Sequence, residues 1–394
     1  MTGKRYDVVI VGGGCIGSAT AYFLKSENDF KGTVLVIERD PTYEFCSTSR
    51  ATGGVRQQFS TPENIEIGLF GAKFLKNVGE HLEVNGEKPS ISFREDGYLL
   101  LGTDEAMPVL RENHALQIKH GAEIAWLERD ELKARYPWMH VDDVPGGFLG
   151  VKNEGWYDPF GLLTAYKRKA RSIGTEYLND EAVGLERKGD RVVAVNTKAN
   201  GRIEAGIVLN AAGARDAAKV AQWAGVSLPV EPRKRSAFVV SCPQTMPGGP
   251  LRFEPNGVWS RPEGKFLLCG VSPAEDADPA TTEFEPDHYL FEDVVWPTLA
   301  ERVPIFEALR VERAYAGHYD HNTLDQNAII GLYPGLENFY VATGFSGHGV
   351  MQSPATGRAV TELIVHGGYR TLDLKRFGVE RVLTGEPIRE TGIY

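Results

Sequence analysis

A length of 394 residues, 42% hydrophobic and 24% charged, is that of an ordinary folded protein with a substantial core, which excludes disordered and fibrous classes. Fifty-three acidic against 43 basic residues leave a net charge of −10, which argues against a chain whose main task is to grip nucleic acid or an anionic membrane. At about 100 to 200 residues per domain, the length predicts two domains or one large discontinuous fold.

No apolar stretch approaches the roughly 20 residues of a membrane span, and the first apolar run, Val8 to Val11, is too short for a signal-peptide core. Cys15, Cys46, Cys242 and Cys269 lie far apart with no Cys-x-x-Cys pair. Neither a disulfide framework nor a metal site is therefore encoded, and a cytoplasmic protein is expected.

Tyr6 to Val11 is an apolar run broken by one Asp, as a parallel strand covered on both faces requires. Small and apolar residues recur at helical spacing from Cys15 to Leu24, and Thr33 to Ile37 is β-branched again, so residues 6–38 read as one βαβ unit. Pro62 opens a helix with Ile65, Leu69, Phe74, Leu75 and Val78 on its apolar face. A strand-rich piece spans 92–102, and helices are predicted from Met107 to Gly121, up to Pro137, and from Pro159 to Ile173. A meander follows over 176–214, turning at Lys188-Gly189-Asp190 and at Asn200-Gly201. Residues 228–312 carry many prolines and alternating strands and read as an inserted module. The chain closes with glycine-rich turns and a helix from about Ala355 to His366.

Gly12, Gly14 and Gly17 form G-x-G-x-x-G directly after a strand and opening a helix. The first glycine permits the tight turn, the second lets backbone approach a pyrophosphate, and the third lets helix and strand pack closely. Glu38 ends the second strand, where an acid accepts hydrogen bonds from the ribose hydroxyls of an adenosine. The motif alone leaves NAD and FAD open. The next segment, CSTSRATGGVRQQFS, is rich in Ser, Thr, Gly and Arg where an NAD enzyme would continue with an ordinary helix and strand. In NFYVATGFSGHGVMQSPATGRAV, Gly344, Gly347 and Gly349 again separate an apolar strand from a helix. That arrangement aims backbone donors at an electron-rich ring edge.

These passages, together with VLNAAGA and AGHYDHNTLDQNAIIG, resemble the glycine/D-amino-acid oxidase type of flavoprotein, nearest the sarcosine oxidase and dimethylglycine dehydrogenase branch, over nearly the whole chain. RATGGVRQQFSTPENI and YDHNTLDQNAIIG are most similar to a subfamily that includes a mitochondrial flavoprotein assisting respiratory complex I assembly, with bacterial relatives that oxidise N-carboxymethyl amines such as iminodiacetate. The resemblance implies an α/β fold: a Rossmann-type FAD-binding domain (1–90, 141–227 and 313–394) and an inserted antiparallel-sheet substrate domain (91–140 and 228–312). It implies FAD held by Gly12, Gly14, Cys15, Ile16, Gly17, Glu38 and Arg39, and by Ser47, Ser49, Arg50, Gly53 and Gly54. Val183 would lie beside the adenine, with Ala212, Gly213, Gly317, Gly347, His348, Gly349, Val350 and Met351 completing the set. Covalent attachment is not expected, because His318 stands about where the family carries a flavin-linked cysteine and the first histidine is His81.

Sarcosine oxidases clamp the substrate carboxylate between an arginine and a lysine; Arg56 matches the arginine and Met351 replaces the lysine. The oxygen-activating lysine is also displaced, with Leu268 in its place and Lys265 nearby, so oxidase and dehydrogenase both remain open. Arg56, His348, Tyr319, His321 and Lys265 are the residues expected near the chemistry, with Arg261 and Arg235 as further cations for a second carboxylate and Asn322 beside them. The implied reaction is oxidation of the C–N bond of an N-substituted glycine by hydride transfer to the flavin, with imine hydrolysis and reoxidation by O2 or another acceptor. The competing expectation is an assembly or interaction flavoprotein with little turnover.

Overall fold

Two eight-stranded sheets organise the chain, which a computed structural model describes over residues 4–392. In the first sheet the strand order is Ile329–Leu332, Phe339–Thr343, Gly201–Asn210, Arg5–Val11, Val34–Glu38 and Thr175–Asn179. All neighbours are parallel except the outermost pair, Ile329–Leu332 with Phe339–Thr343. The strands Ala182–Lys188 and Arg191–Thr197 extend Gly201–Asn210 as an antiparallel meander.

The apolar run in the first strand is explained by cover on both faces. Val8 and Ile10 enter one core and Val9 and Val11 the other, the two-residue alternation of a strand. On the first face pack the helices Cys15–Ser26, Pro159–Ser172 and Gly349–His366, with Pro62–Lys76 against the last. Tyr22, Phe23, Phe74 and Tyr166 cluster there. The helix Gly213–Trp223 covers the other face through Val220 and Ala221.

The second sheet runs Arg310–Asn322, Val230–Ser241, Phe266–Gly270, Trp259–Glu263, Leu251–Phe253, Tyr98–Gly102, Gly146–Gly150 and Ile124–Glu128. Only Leu251–Phe253 with Tyr98–Gly102 is parallel. Two stretches sit differently from the sequence-based division. Gly146–Gly150 pairs on both sides within this sheet, and the whole of Arg310–Asn322 lies along Val230–Ser241. Both are continuous runs that find their ladder partners among strands of this same sheet, which composition does not reveal.

The last helix begins at Gly349 rather than near Ala355, with Pro354 inside it. Proline removes the N–H that would bond Val350 O, and Ser353 Oγ donates to that carbonyl instead at 2.8 Å. Among the described residues no helix is long and apolar enough to cross a membrane.

Candidate functional site

The first glycine turn is shaped by close backbone approach. Gly12 has φ +103°, its N–H donates to Ile37 O at 3.0 Å, and a Cβ there would lie 2.2 Å from Ala211 O. A Cβ on Gly17 would meet Gly12 O at 2.0 Å, so Gly17 serves helix-to-strand packing rather than the cavity wall. The helix that follows has Gly14 at its N-cap and no side-chain cap. Its first-turn donors beyond Cys15 N are therefore available to an anion. Thr48 Oγ1 accepts from Cys15 N at 3.2 Å. Glu38 Oε2 accepts Gly13 N at 2.8 Å and Oε1 accepts Asp40 N at 2.9 Å. A carboxylate has about four acceptor sites, so lone pairs remain for two ribose hydroxyls.

Between the two sheets lies a cavity of about 550 Å³. Gly12, Gly14, Cys15, Ile16, Glu38 and Arg39 line it, as do Ser47, Arg50, Gly53, Gly54 and Arg56 from the following segment. Ala212, Gly213, Gly317, His318 and Tyr319 contribute further wall, and Gly347, His348, Gly349, Val350 and Met351 complete it. Arg39 is paired with Asp216 at 2.6 Å. Arg50 donates to Ala316 O at 2.7 Å and so ties the second segment to the second sheet. The last helix also has no side-chain cap, so its first-turn N–H groups, from Gly349 onward, meet the same cavity. Two helix starts without a side-chain cap, a Cβ-free cradle and an acid with acceptor sites to spare fit a dinucleotide carrying a pyrophosphate.

Other expected residues stand apart from the cavity. Val183 is 46% exposed, and Asp180, Glu181 and Ala182 line the wall in its place, because Val183 falls on the outward side of its strand. Ser49 is not part of the wall, and its buried Oγ has no hydrogen-bond partner among the described residues. Arg261 is buried but turned to Thr52 O at 3.0 Å and to the Glu263 carboxylate, so its charge is already compensated. Lys265 is exposed on the turn between Trp259–Glu263 and Phe266–Gly270, over the ring of Phe266. His321 is outside the wall, beside Tyr319, with ring centroids 6.4 Å apart.

Arg56 is 3% exposed and lines the cavity among the faces of Phe59, Tyr98 and Phe253, at 4.7, 5.5 and 5.9 Å. Its Nη2 lies 3.1 Å from His348 Nε2. Burial and the adjacent guanidinium push the imidazole down to about 3, so at neutral pH it is uncharged and accepts through Nε2, with the proton on Nδ1. The pair thus contributes a positive charge to the wall. Met351 is buried and brings no second one. Gly347, at φ +90°, packs directly on Tyr319, whose Cε2 would be 2.2 Å from a Cβ at that position. Arg235 lies over the Tyr319 ring at 4.5 Å and forks onto Asp278, both contacts at 2.8 Å.

Two carboxyl groups escaped the sequence reading. Glu154, fully buried, accepts Gln57 N at 2.5 Å and Gln58 Nε2 at 2.8 Å, and burial pushes it up to about 7. Asp320 lines the cavity and accepts Phe345 N at 3.0 Å, and burial pushes it up to about 6. Glu154 is a lone acid outside any motif, whereas Asp320 lies inside AGHYDHN, where its neighbours carried the signal.

A family model described as FAD dependent oxidoreductase (DAO) matches residues 7–363. The FAD-dependent oxidoreductase domain-containing protein 1 of Xenopus laevis is 42% identical, over 99% of this chain and 85% of its own. The mitochondrial sarcosine dehydrogenase of Mus musculus is 28% identical, over 94% of this chain and 41% of its own. L-proline dehydrogenase from P. horikoshii superposes with a TM-score of 0.88 at 27% identity, covering 98% of this chain and all of that one (100%). The iminodiacetate oxidase of Chelativorans sp. BNC1 shares the fold, with a TM-score of 0.78 at 20% identity over 94% of this chain and 98% of that chain. Because the matched span takes in both glycine turns and the cavity between the sheets, the chain belongs to the DAO family of FAD-dependent oxidoreductases, with FAD as its cofactor.

Proposed function

We propose that the protein oxidises the C–N bond of a small secondary amino acid, an N-substituted glycine such as sarcosine or iminodiacetate. The observation that carries this reading is Arg56: a buried guanidinium in the wall of the FAD cavity, beside an imidazole that stays neutral. A guanidinium matches a carboxylate with two parallel hydrogen bonds, and in a water-poor site such a contact orients as well as binds. Phe59, Tyr98 and Phe253 keep that charge from water, and Tyr319 supplies a flat wall next to the Gly347 turn. Bound FAD supplies the acceptor for the hydride that leaves the carbon next to nitrogen. The amine must be uncharged when this happens and then loses its N–H proton, so the imine product needs only water to separate into an amine and a carbonyl compound. No strong base is required of the wall, which agrees with a histidine as weakly basic as His348.

The FAD is held noncovalently in this reading. His318 Nε2 is engaged with Glu283 O at 3.1 Å, and its neighbours in the strand Arg310–Asn322 include no cysteine. Acid precipitation should release all of the yellow cofactor to the supernatant; flavin fluorescence retained by the pellet would show a covalent link. The substrate class is tested by anaerobic bleaching of the flavin absorption with sarcosine, iminodiacetate, proline and glycine in turn. Rapid bleaching by the secondary amines is expected. Bleaching by glycine alone would move the reaction to primary amines, and bleaching by none would overturn the proposal.

A further inference from the structure

We propose that Asp320 is a positioning residue whose carboxylate fixes the turn Gly344–Gly347 in front of the last helix and lowers the reduction potential of bound FAD. Nothing in the substrate reading enters this inference; it needs only FAD in the cavity that Asp320 lines.

The turn is an unfavourable shape for a chain to hold unaided. Gly344, Ser346 and Gly347 all have positive φ, +71°, +46° and +90°, and Ser346 has a side chain to strain. Asp320 locks it from the strand Arg310–Asn322 of the second sheet: its carboxylate accepts Phe345 N at 3.0 Å, and its carbonyl accepts Ser346 N at 3.1 Å. The N–H groups of Gly344 and Gly347 favour the ionised form as well. Asn322 N completes the seam by donating to Ser346 Oγ at 3.0 Å. The carboxylate is therefore held by backbone donors, and among the described residues it forms no ion pair.

A carboxylate without a cationic partner in the cavity wall disfavours any negative charge that accumulates on the cofactor during reduction. Around this corner stand Arg56, Arg235 on the paired strand, Asp278 on the loop beyond it, and Tyr319 on Asp320's own strand. Arg233, His321 and His348 complete the charged or titratable set. His348 is neutral, and His321 is lowered by burial and by Arg233 and Arg235.

The test is a spectroelectrochemical titration of FAD-loaded wild type, Asp320→Asn and Asp320→Glu between about pH 5 and pH 8, with FAD dissociation followed in parallel. Asparagine still accepts Phe345 N but carries no charge. At about pH 8 its potential should lie above wild type by the equivalent of at least a tenfold shift in the two-electron equilibrium, about 30 mV. The two should converge near pH 5, where Asp320 is protonated. Asp320→Glu should stay within half that shift of wild type. The wild type's own potential should change slope near pH 6, a readout that stands even if a variant fails to load FAD. Equal potentials at high pH, an offset identical at both ends, or no change of slope in the wild type would each overturn the proposal.

Discussion

Replacing Arg56 by methionine removes the charge while leaving an apolar chain of similar length among Phe59, Tyr98 and Phe253. The side chain is 3% exposed, so a carboxylate bound there meets little competing water. A hydrogen bond to a charged group contributes about 1.5 to 3 kcal/mol, and two prongs place this contact toward the upper end. At about 1.4 kcal/mol per factor of ten, kcat/KM for a carboxylated amine should fall by about tenfold to 150-fold. The assay is the anaerobic rate of flavin bleaching against concentration, with sarcosine and with its uncharged amide, FAD content being checked in both proteins. The amide should lose less than threefold. Equal losses on the two substrates would refute the reasoning and show that Arg56 instead supports His348 and the turn beside it.

Glu38→Ala removes the acceptor of both Gly13 N and Asp40 N as well as the ribose-facing oxygens, so FAD dissociation should speed up by about tenfold or more; gel filtration of the loaded protein measures it, and unchanged retention would contradict the assignment. Lys265→Met should leave reoxidation by O2 within twofold of wild type in stopped flow, because this lysine sits on an exposed turn away from the cavity. Asp180 carries a pH-dependent share of stability. Burial raises its carboxyl, but hydrogen bonds from Asn200, Ala199, Thr197 and Glu181 outweigh this and hold it at about 2, below its ordinary 3.8. Its stabilisation is present above the unfolded value and is lost as pH falls through about 2, so Asp180→Asn should cost about 2 kcal/mol near neutral pH in urea unfolding and nothing at the acid end. A cost independent of pH would show that packing, not charge, is at stake.

What the sequence discloses about this molecule is what backbone geometry forces on residue type. Gly12 and Gly17 are legible because no other residue leaves room for Ala211 O and Gly12 O, and Glu38 because a strand end after such a turn has few other uses for an acid. The last helix was placed late because Pro354 reads as a boundary, whereas Ser353 replaces the bond that proline cannot make. Arg261 reads as a free cation because its hold by Thr52, far away in the chain, is invisible in the sequence, and an acid two residues on, Glu263, does not by itself show pairing. Glu154 and Asp320 were silent for the converse reason. A single buried acid has no spacing to read, and its partners, Gln57 and Phe345, come from distant segments. Long-range pairing also moved Gly146–Gly150 and residues 313–322 of the strand Arg310–Asn322 into the second sheet.

The strand order of the first sheet has a consequence for biosynthesis. Arg5–Val11 is central, with Val34–Glu38 on one side and Gly201–Asn210 on the other, and the latter in turn awaits Phe339–Thr343. At about 5 to 20 residues per second, the strand made first would wait roughly ten seconds or longer for its second neighbour to be synthesised, and longer still for the next to be added. During that interval one edge of a very apolar ribbon is unpaired, a template for association with other chains. Slowed elongation before residue 210, or a shortage of chaperones that cover such edges, should therefore reduce the yield of soluble protein more than a substitution of similar severity in the late-made helix Gly349–His366.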